Sequence, residues 1–427
     1  MAEWAPAMND SLFAYLDASP SPFHAVANAS ALLRSHGFQE LHERDEWTDV
    51  AGRHFVVRGG ALMAWVATEP DPVNSGFHII GTHTDSPNLR VKPNATSSNV
   101  GYRQVAVEIY GGVLSNSWLD RDLGVSGRIV LADGTVALVC VDRPVARVAQ
   151  LAIHLDREVN EKGLVLDKQL HVLPIIGLGA HDGSAFDEWI ASEAGVPFSS
   201  VVSSDLMFHD LTPAAHLGVD HEFIVSGRID NLVSCWAGLE ALVAIAPVAH
   251  GGVPMVALFD HEEVGSSSTT GAAGPLLEVV LNRVGHALGL NLDERARAVN
   301  ASSCLSSDMA HGVHPNYADR HEPGHRPLPN HGPVLKTNVN QRYATSAESA
   351  ARFRAACARA DVPVQVFVSK NSQPCGSTIG PITATRLGIE TVDVGCAMLS
   401  MHSAREMCGA KDPELYVRAL TSYLTGS

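Results

Sequence analysis

The apolar run at residues 253–258 leads into Phe259-Asp-His-Glu-Glu-Val-Gly-Ser266, so two adjacent carboxylates, Glu262 and Glu263, stand at the exit of a buried strand. A second apolar run, 77–81, leads into Thr82-His-Thr-Asp-Ser-Pro87 and places His83 and Asp85 at an equivalent exit. Strand exits of this kind point to a sheet with its chemistry gathered at one edge, because open α/β sheets bind ligands beyond the carboxyl ends of their strands. Neighbouring acids can divide the work of a hydrolytic metal site. One ligates a cation while the other stays free as a general base.

The remaining pattern fits that frame. Residues 11–37 carry helical spacing broken by Ser19-Pro-Ser-Pro22, which predicts two helices, and strands follow near 55–57 and 62–66. From 94 the chain turns β-rich, with strands at 105–110, 128–131 and 136–141 and a hairpin turn at Asp133-Gly134. Beyond Asp230 helices and strands alternate again: helices over 232–245, 274–288 and 347–360, strands over 253–259, 364–368 and 390–394, then a C-terminal helix. The expected fold class is α/β. A mixed sheet with helices on both faces is built from residues 1–93 and 226–427 and interrupted by a β-rich insertion, 94–225. With 427 residues the chain has material for both parts.

Composition removes several functions. The formal charge of -16 repels nucleic-acid phosphates, and no basic stripe offsets it. No apolar run approaches the roughly 20 residues that span a bilayer. The start, Met1-Ala-Glu-Trp4, lacks the features of a secretory signal, so a cytoplasmic location is expected. Seven scattered cysteines without a C-x-x-C pair indicate neither a disulfide framework nor a thiolate zinc site. There is no G-x-S-x-G elbow or P-loop, which ranks serine hydrolases and nucleotide-driven chemistry low.

Five places after strand-like runs carry potential ligands. They are His83 with Asp85, Asp230 in Gly227-Arg-Ile-Asp-Asn231, Glu262 with Glu263, Asp308 in Ser306-Ser-Asp-Met-Ala-His311, and His402 in Leu399-Ser-Met-His-Ser403. Such a mixed N/O donor set suits zinc, manganese or cobalt, and a carboxylate can bridge two ions. Each has a plain alternative. Asp230-Asn231 can cap the next helix, Asp308 can be a turn residue among serines, His402 can be a structural group opening a helix, and Glu262-Glu263 a solvated loop. Their joint occurrence favours a two-metal hydrolase. The prolines among His311, His314, His321, His325 and His331 make that segment a loop whose histidines can line a pocket.

Several longer segments occur in one order: Gly81-Thr-His-Thr-Asp-Ser-Pro87, Trp118-Leu-Asp-Arg-Asp-Leu123, Ile153-His-Leu-Asp-Arg157, Ile229-Asp-Asn-Leu232 and Asp260-His-Glu-Glu-Val-Gly-Ser266. After them come Ser307-Asp-Met-Ala-His-Gly-Val-His-Pro-Asn-Tyr317, Asn340-Gln-Arg-Tyr-Ala344, Pro374-Cys-Gly-Ser-Thr-Ile-Gly-Pro381 and Met401-His-Ser-Ala-Arg-Glu-Met407. Over nearly its whole length the chain thereby resembles the aspartyl aminopeptidase family of co-catalytic zinc peptidases. The resemblance implies two divalent ions, zinc first and manganese or cobalt as alternatives. His83 and Asp308 would hold one, Glu263 and His402 the other, and Asp230 would bridge them. Glu262 would be the general base, and Asp85 would orient His83 from behind. The insertion would be a dimerisation domain within a tetrahedral dodecamer built from dimers. His154 would reach from one subunit into the active site of the next.

The implied reaction is hydrolysis of the N-terminal peptide bond of peptides that begin with Asp or Glu. An acidic chain needs a local positive region to hold such substrates. Lys336, in Gly332-Pro-Val-Leu-Lys336, is the candidate, and the resemblance places a substrate-binding lysine there. The alternative keeps the two-metal chemistry with a neutral or basic N-terminal preference. A non-catalytic binding protein of the same shell is disfavoured by the presence of every ligand together with Glu262.

Overall fold

The computed structural model describes residues 6–180, 183–246 and 251–426. The Met1-Ala-Glu-Trp4 start lies outside them. No helix among the described residues is long and apolar enough to cross a membrane.

Strands Phe77–His83 and Val253–Phe259 are buried at every position. They pair in parallel, with Thr82 beside Leu258 and His83 beside Phe259, so both exits fall at one level. Ser303–Ser307 joins the other side of Phe77–His83 in parallel, and Glu390–Gly395 extends the block. These four form the middle of a nine-stranded mixed sheet. Strands covered on both faces lose alternation and read as continuous apolar runs, which is why two of them were visible in the sequence.

Helices cover both faces, as expected. Alternate residues of Val253–Phe259 serve opposite cores: Val256 and Leu258 meet Trp236, Phe353 and Tyr416, while Met255, Ala257 and Phe259 meet Leu277, Val280 and Val284. Helix Ile229–Val243 is buried nearly all round, the property of a helix enclosed between sheet and other helices. Leu276–Ala287 instead buries Leu276, Leu277, Val280, Leu281 and Val284 along one stripe. The Ser19-Pro-Ser-Pro22 break separates helices Pro6–Ala18 and Pro22–Ser35. There Ser21 accepts from the His24 amide while Pro22 occupies a position needing no amide hydrogen.

A six-stranded antiparallel sheet is drawn from residues 88–210, beginning with Asn88–Asn99 and ending with Val201–Asp210. It encloses its own apolar cluster around Trp118, Phe186 and Phe208. A five-stranded sheet joins Ala215–Leu217 and Phe223–Ser226 to Glu406–Gly409, Ala397–Leu399 and Ala310–His311. His402 lies in the turn between the antiparallel strands Ala397–Leu399 and Glu406–Gly409. The helix expected to open at His402 is absent. Ser400 and His402 adopt left-handed backbone angles, φ 58° and 69°, which turn the chain back instead of continuing it helically.

Main-chain packing at the sheet edge is tight. A Cβ on Gly395 would lie 1.8 Å from the Asp308 carbonyl oxygen, whereas one on Gly376 would meet nothing within 4 Å. Gly395→Ala should therefore lower the unfolding free energy by about 1–3 kcal/mol, and Gly376→Ala should change it by no more than about 0.5 kcal/mol. Urea unfolding followed by tryptophan fluorescence checks the pair, and equal midpoints would remove the packing argument.

Candidate metal centre

Four chain segments converge beyond the carboxyl ends of the parallel strands. His83 is the last residue of its strand, Glu262 and Glu263 form a short turn after Phe259, and Asp308 follows Ser307. Asp230 comes from the start of Ile229–Val243, where its extended backbone (φ −83°, ψ 105°) departs from helical geometry. The capping role open to Asp230 is not the one observed. The position before the helix belongs to Arg228, and the Asp230 carboxylate faces two histidines.

His83 Nε2 lies 3.6 Å from Asp230 Oδ1 and 3.6 Å from Asp308 Oδ1. His402 Nε2 lies 3.6 Å from Asp230 Oδ2 and 3.4 Å from Glu263 Oε2. These separations are long for hydrogen bonds. They match ligands that share an ion, since two atoms about 2.0–2.1 Å from zinc at tetrahedral angles are about 3.3–3.4 Å apart. Asp230 Oδ1 is buried without a hydrogen-bond partner. Donor atoms of His83, Asp230 and Asp308 fall within 4.8 Å of one another, as do those of Asp230, Glu263 and His402, and those of His83, Glu262 and Glu263. The residues present therefore fit a pair of divalent cations, with Asp230 common to the first two of these groups.

The surrounding hydrogen bonds aim each donor. His83 Nδ1 is 3.0 Å from the Asp85 main-chain carbonyl, and His402 Nδ1 is 3.1 Å from the Gly112 carbonyl. When each Nδ1 donates, Nε2 keeps its lone pair for a cation. The Asp85 carboxylate is 3.5 Å from His83 Nδ1. Its shorter bonds are accepted from the Glu262 amide at 3.0 Å, the Glu263 amide at 3.1 Å and the Tyr110 hydroxyl at 2.7 Å. Asp85 thus fixes the Glu262-Glu263 turn as well as standing behind His83.

Sequence reasoning gave no role to Glu406. Its carboxylate accepts from the Asp230 amide at 2.9 Å and the His402 amide at 2.6 Å, tying two potential ligands together. An acid four residues after His402, in a strand that is otherwise apolar, was the available signal. Tyr110 and Gly112 were missed too, since they belong to the β-rich stretch and nothing in their sequence points towards the metal ligands.

Burial and crowding shift the protons. Burial, reinforced by Asp308, Asp85 and Asp230, pushes Glu262 up to about 8, although His83 pulls the other way. Glu263 rises well above the usual carboxylate range for the same reasons, burial first and then Asp230. Burial opposes charge on the rings, yet Asp230 and Glu263 lift His402 to about 10, and Asp230, Asp308 and Asp85 lift His83 well above its ordinary value. Protons on the rings do the neutralising that cations would otherwise do.

The cleft has a volume of about 560 Å³ and is lined by His83, Asp230, Glu262, Glu263, Asp308, His402 and Lys336 among others. Lys336 is 2% exposed. Its Nζ donates to the carbonyls of Asp308 at 2.8 Å and Met309 at 3.1 Å, and stands 3.4 Å from Asp308 Oδ2. His154 is exposed on the segment before Val159–Lys162 and does not line this cleft within its own chain. His311, His314 and His321 line a cavity beside it. None of the three ligand groups among the described residues draws on the histidines of 311–331.

Comparison with known proteins places this chain in a family. Residues 15–424 match the model described as aminopeptidase I zinc metalloprotease (M18). The chain is 54% identical over 421 residues to "Probable M18 family aminopeptidase 2" of Streptomyces coelicolor, covering 97% of each. It is 48% identical over 420 residues to the protein of the same name from Mycobacterium tuberculosis, covering 96% of each. Among solved structures, the chain in the cryo-EM structure of the Ape4 and Nbr1 complex superposes with a TM-score of 0.93 at 37% identity, over 97% of this chain and 85% of that one. The crystal structure of prApe1 gives 0.90 at 30%, over 97% and 93%. The chain belongs to the M18 aminopeptidases, metal-dependent hydrolases described as aminopeptidase I zinc metalloproteases.

Proposed function

We propose that this M18 aminopeptidase removes acidic residues, Asp or Glu, from the N-termini of peptides with the help of two divalent cations, zinc in the first instance. The observation that carries the reading is the Asp230 carboxylate, whose two oxygens each face a different histidine at 3.6 Å. His83 and Asp308 would hold one ion, Glu263 and His402 the other, and Asp230 both. Bound ions of this kind polarise a scissile carbonyl and lower the pKa of water.

Glu262 borders this centre without an ion pair of its own. It accepts the proton of the attacking water and passes it to the leaving amine. Its amide is anchored on Asp85, so the carboxylate stays aimed at the reacting water while its neighbour Glu263 serves as a ligand. Lys336 is the cation available for an acidic substrate side chain, buried next to Asp308 and 5.2 Å from the Tyr343 ring centroid. Residues 94–225 would form the dimerisation domain, and His154 would complete a neighbouring subunit's site. A related structure is titled as the mApe1 dodecamer of S. cerevesiae, 28% identical with a TM-score of 0.86. It supports the same assembly here. Peptides would be the partners and the cytoplasm the location.

Glu262→Gln should retain its metal and lose about 10²-fold or more in kcat. Metal analysis beside turnover checks this, and near-normal turnover would remove Glu262 from the role. Protons and cations compete for the same groups, so cation binding expels protons from the Glu263 carboxylate and the His402 ring, whose pKa values lie high. Zinc affinity should tighten from about pH 6 to about pH 8, with protons released on binding. Titration calorimetry in buffers of different ionisation enthalpy measures that release, and an affinity flat across the range would contradict a site built from protonated groups. Lys336→Met should lower kcat/KM for Asp- and Glu-initiated peptides by about tenfold more than for Leu-initiated ones. Equal losses on all of them would leave Lys336 as a support for Asp308, and leucine preference in the unmodified enzyme would end the acidic assignment.

A further inference from the structure

Two more cavities follow in series from the cleft that holds Glu262 and Lys336. The first, about 370 Å³, shares His311, Tyr343, Gly376 and Met401 with it. The second, about 570 Å³, shares Ser369, Lys370, Gln373 and Pro374 with the first. Together they make a groove that leaves the metal centre past the carboxyl ends of Val334–Thr337 and Gln365–Val368.

The charge along this groove differs from that of the chain as a whole. Acidic residues outnumber basic ones 46 to 30 in the sequence. Yet among the described residues no Asp or Glu lines either outer cavity, whereas Arg320, Lys370 and Arg342 do. Lys370 Nζ donates to the Asp319 carbonyl and Arg342 Nε to the Gly376 carbonyl at 3.4 Å, acceptors that leave both positive charges uncompensated. Glu322, beside His321 in the chain, is taken by the His325 ring and the Gly324 amide. Two histidines add donors. His314 Nδ1 accepts from the Asn316 amide at 3.2 Å and His321 Nε2 from the His314 amide at 3.4 Å. In each neutral ring the other nitrogen then carries the hydrogen.

An exopeptidase of this kind holds one residue ahead of the bond it cuts and all the others behind it. The cleft around Glu262 and Lys336 accommodates the first. Among the described residues, the outer groove is the space continuous with the cleft that can accept those that follow.

We propose that the substrate beyond the scissile bond lies along this groove, and that Arg320 and Lys370 bind the terminal carboxylate of a short peptide there. The inference rests on the aminopeptidase reading and adds a preference that the metal centre cannot supply: short peptides with a free carboxyl terminus over amidated ones. A planar guanidinium and an ammonium lining one cavity, with imidazole N–H groups at hand, suit a carboxylate.

The test compares Asp-Ala-Ala with a free and with an amidated terminus, using the native enzyme and an Arg320→Gln/Lys370→Gln double variant. The native enzyme should favour the free acid by about tenfold in kcat/KM, mainly through KM, and the double variant should not discriminate. Aspartyl p-nitroanilide, which has no amino acid beyond the bond, should be cut equally by both proteins. Equal cleavage of acid and amide by the native enzyme overturns the proposal, as does an equal loss on both in the variant. A variant that instead loses its Asp-over-Leu choice on anilides also overturns it, because the groove would then lie on the other side of the bond. Failure of the aminopeptidase reading would show separately, as no anilide cleavage by zinc-loaded native enzyme. The groove is then judged by equilibrium binding of Ala-Ala in its acid and amide forms. Tighter binding of the acid, lost in the double variant, supports the proposal, and equal binding overturns it.

Discussion

Negative charge crowded out of reach of water is the constraint on which the centre depends. Asp85, Asp230, Glu262, Glu263, Asp308 and Glu406 meet at one sheet edge, where burial alone drives several of them towards the protonated form. Two like charges 4 Å apart repel by about 4 kcal/mol at an effective dielectric of about 20. A few such pairs equal the roughly 5–15 kcal/mol that holds a typical domain together. The cluster must therefore take up positive charge. Two imidazoles and Lys336 supply part of it, and their spacing leaves gaps of the size divalent ions fill.

Rigidity follows from the same requirement. Ligands held on strand ends and tight turns cannot retreat from one another, so the repulsion is met by fixed partners. Asp85 takes two main-chain amides and a tyrosine hydroxyl, and Glu406 takes the amides of Asp230 and His402. Glu406 is itself buried and lifted to about 8 by burial and Asp230, while the two amides stabilise its charged form.

Much of this was legible in the chain, for physical reasons that differ by residue. His83, Asp85, Glu262 and Glu263 follow strands enclosed on both faces, whose unbroken apolar runs announce themselves. Asp308 was harder, because its strand reads Ser303-Cys-Leu-Ser-Ser307. These serines are buried, and Ser307 Oγ pairs with the hydroxyl of Tyr416, a partner distant in the chain, at 2.6 Å. His402 was found as a residue and misjudged as structure, since a left-handed turn has no periodicity to detect. Lys336 lies on a short strand, Val334–Thr337, and its burial depends on main-chain carbonyls from residues 308 and 309, far away in sequence. Pairing across such distances is set by the fold, and no local pattern encodes it.

Tyr110 and Gly112 bring the β-rich stretch into direct touch with the centre, one through the Asp85 carboxylate and the other through the His402 ring. A Cβ on Gly112 would come within 3.0 Å of that ring, so the strand passes as close as a main chain can. The inserted segment is thus a structural wall of the reaction chamber as well as an appendage to it. A shortened chain made by excising the β-rich stretch would keep all five candidate ligands but lose the brace that tells its second imidazole which way to face.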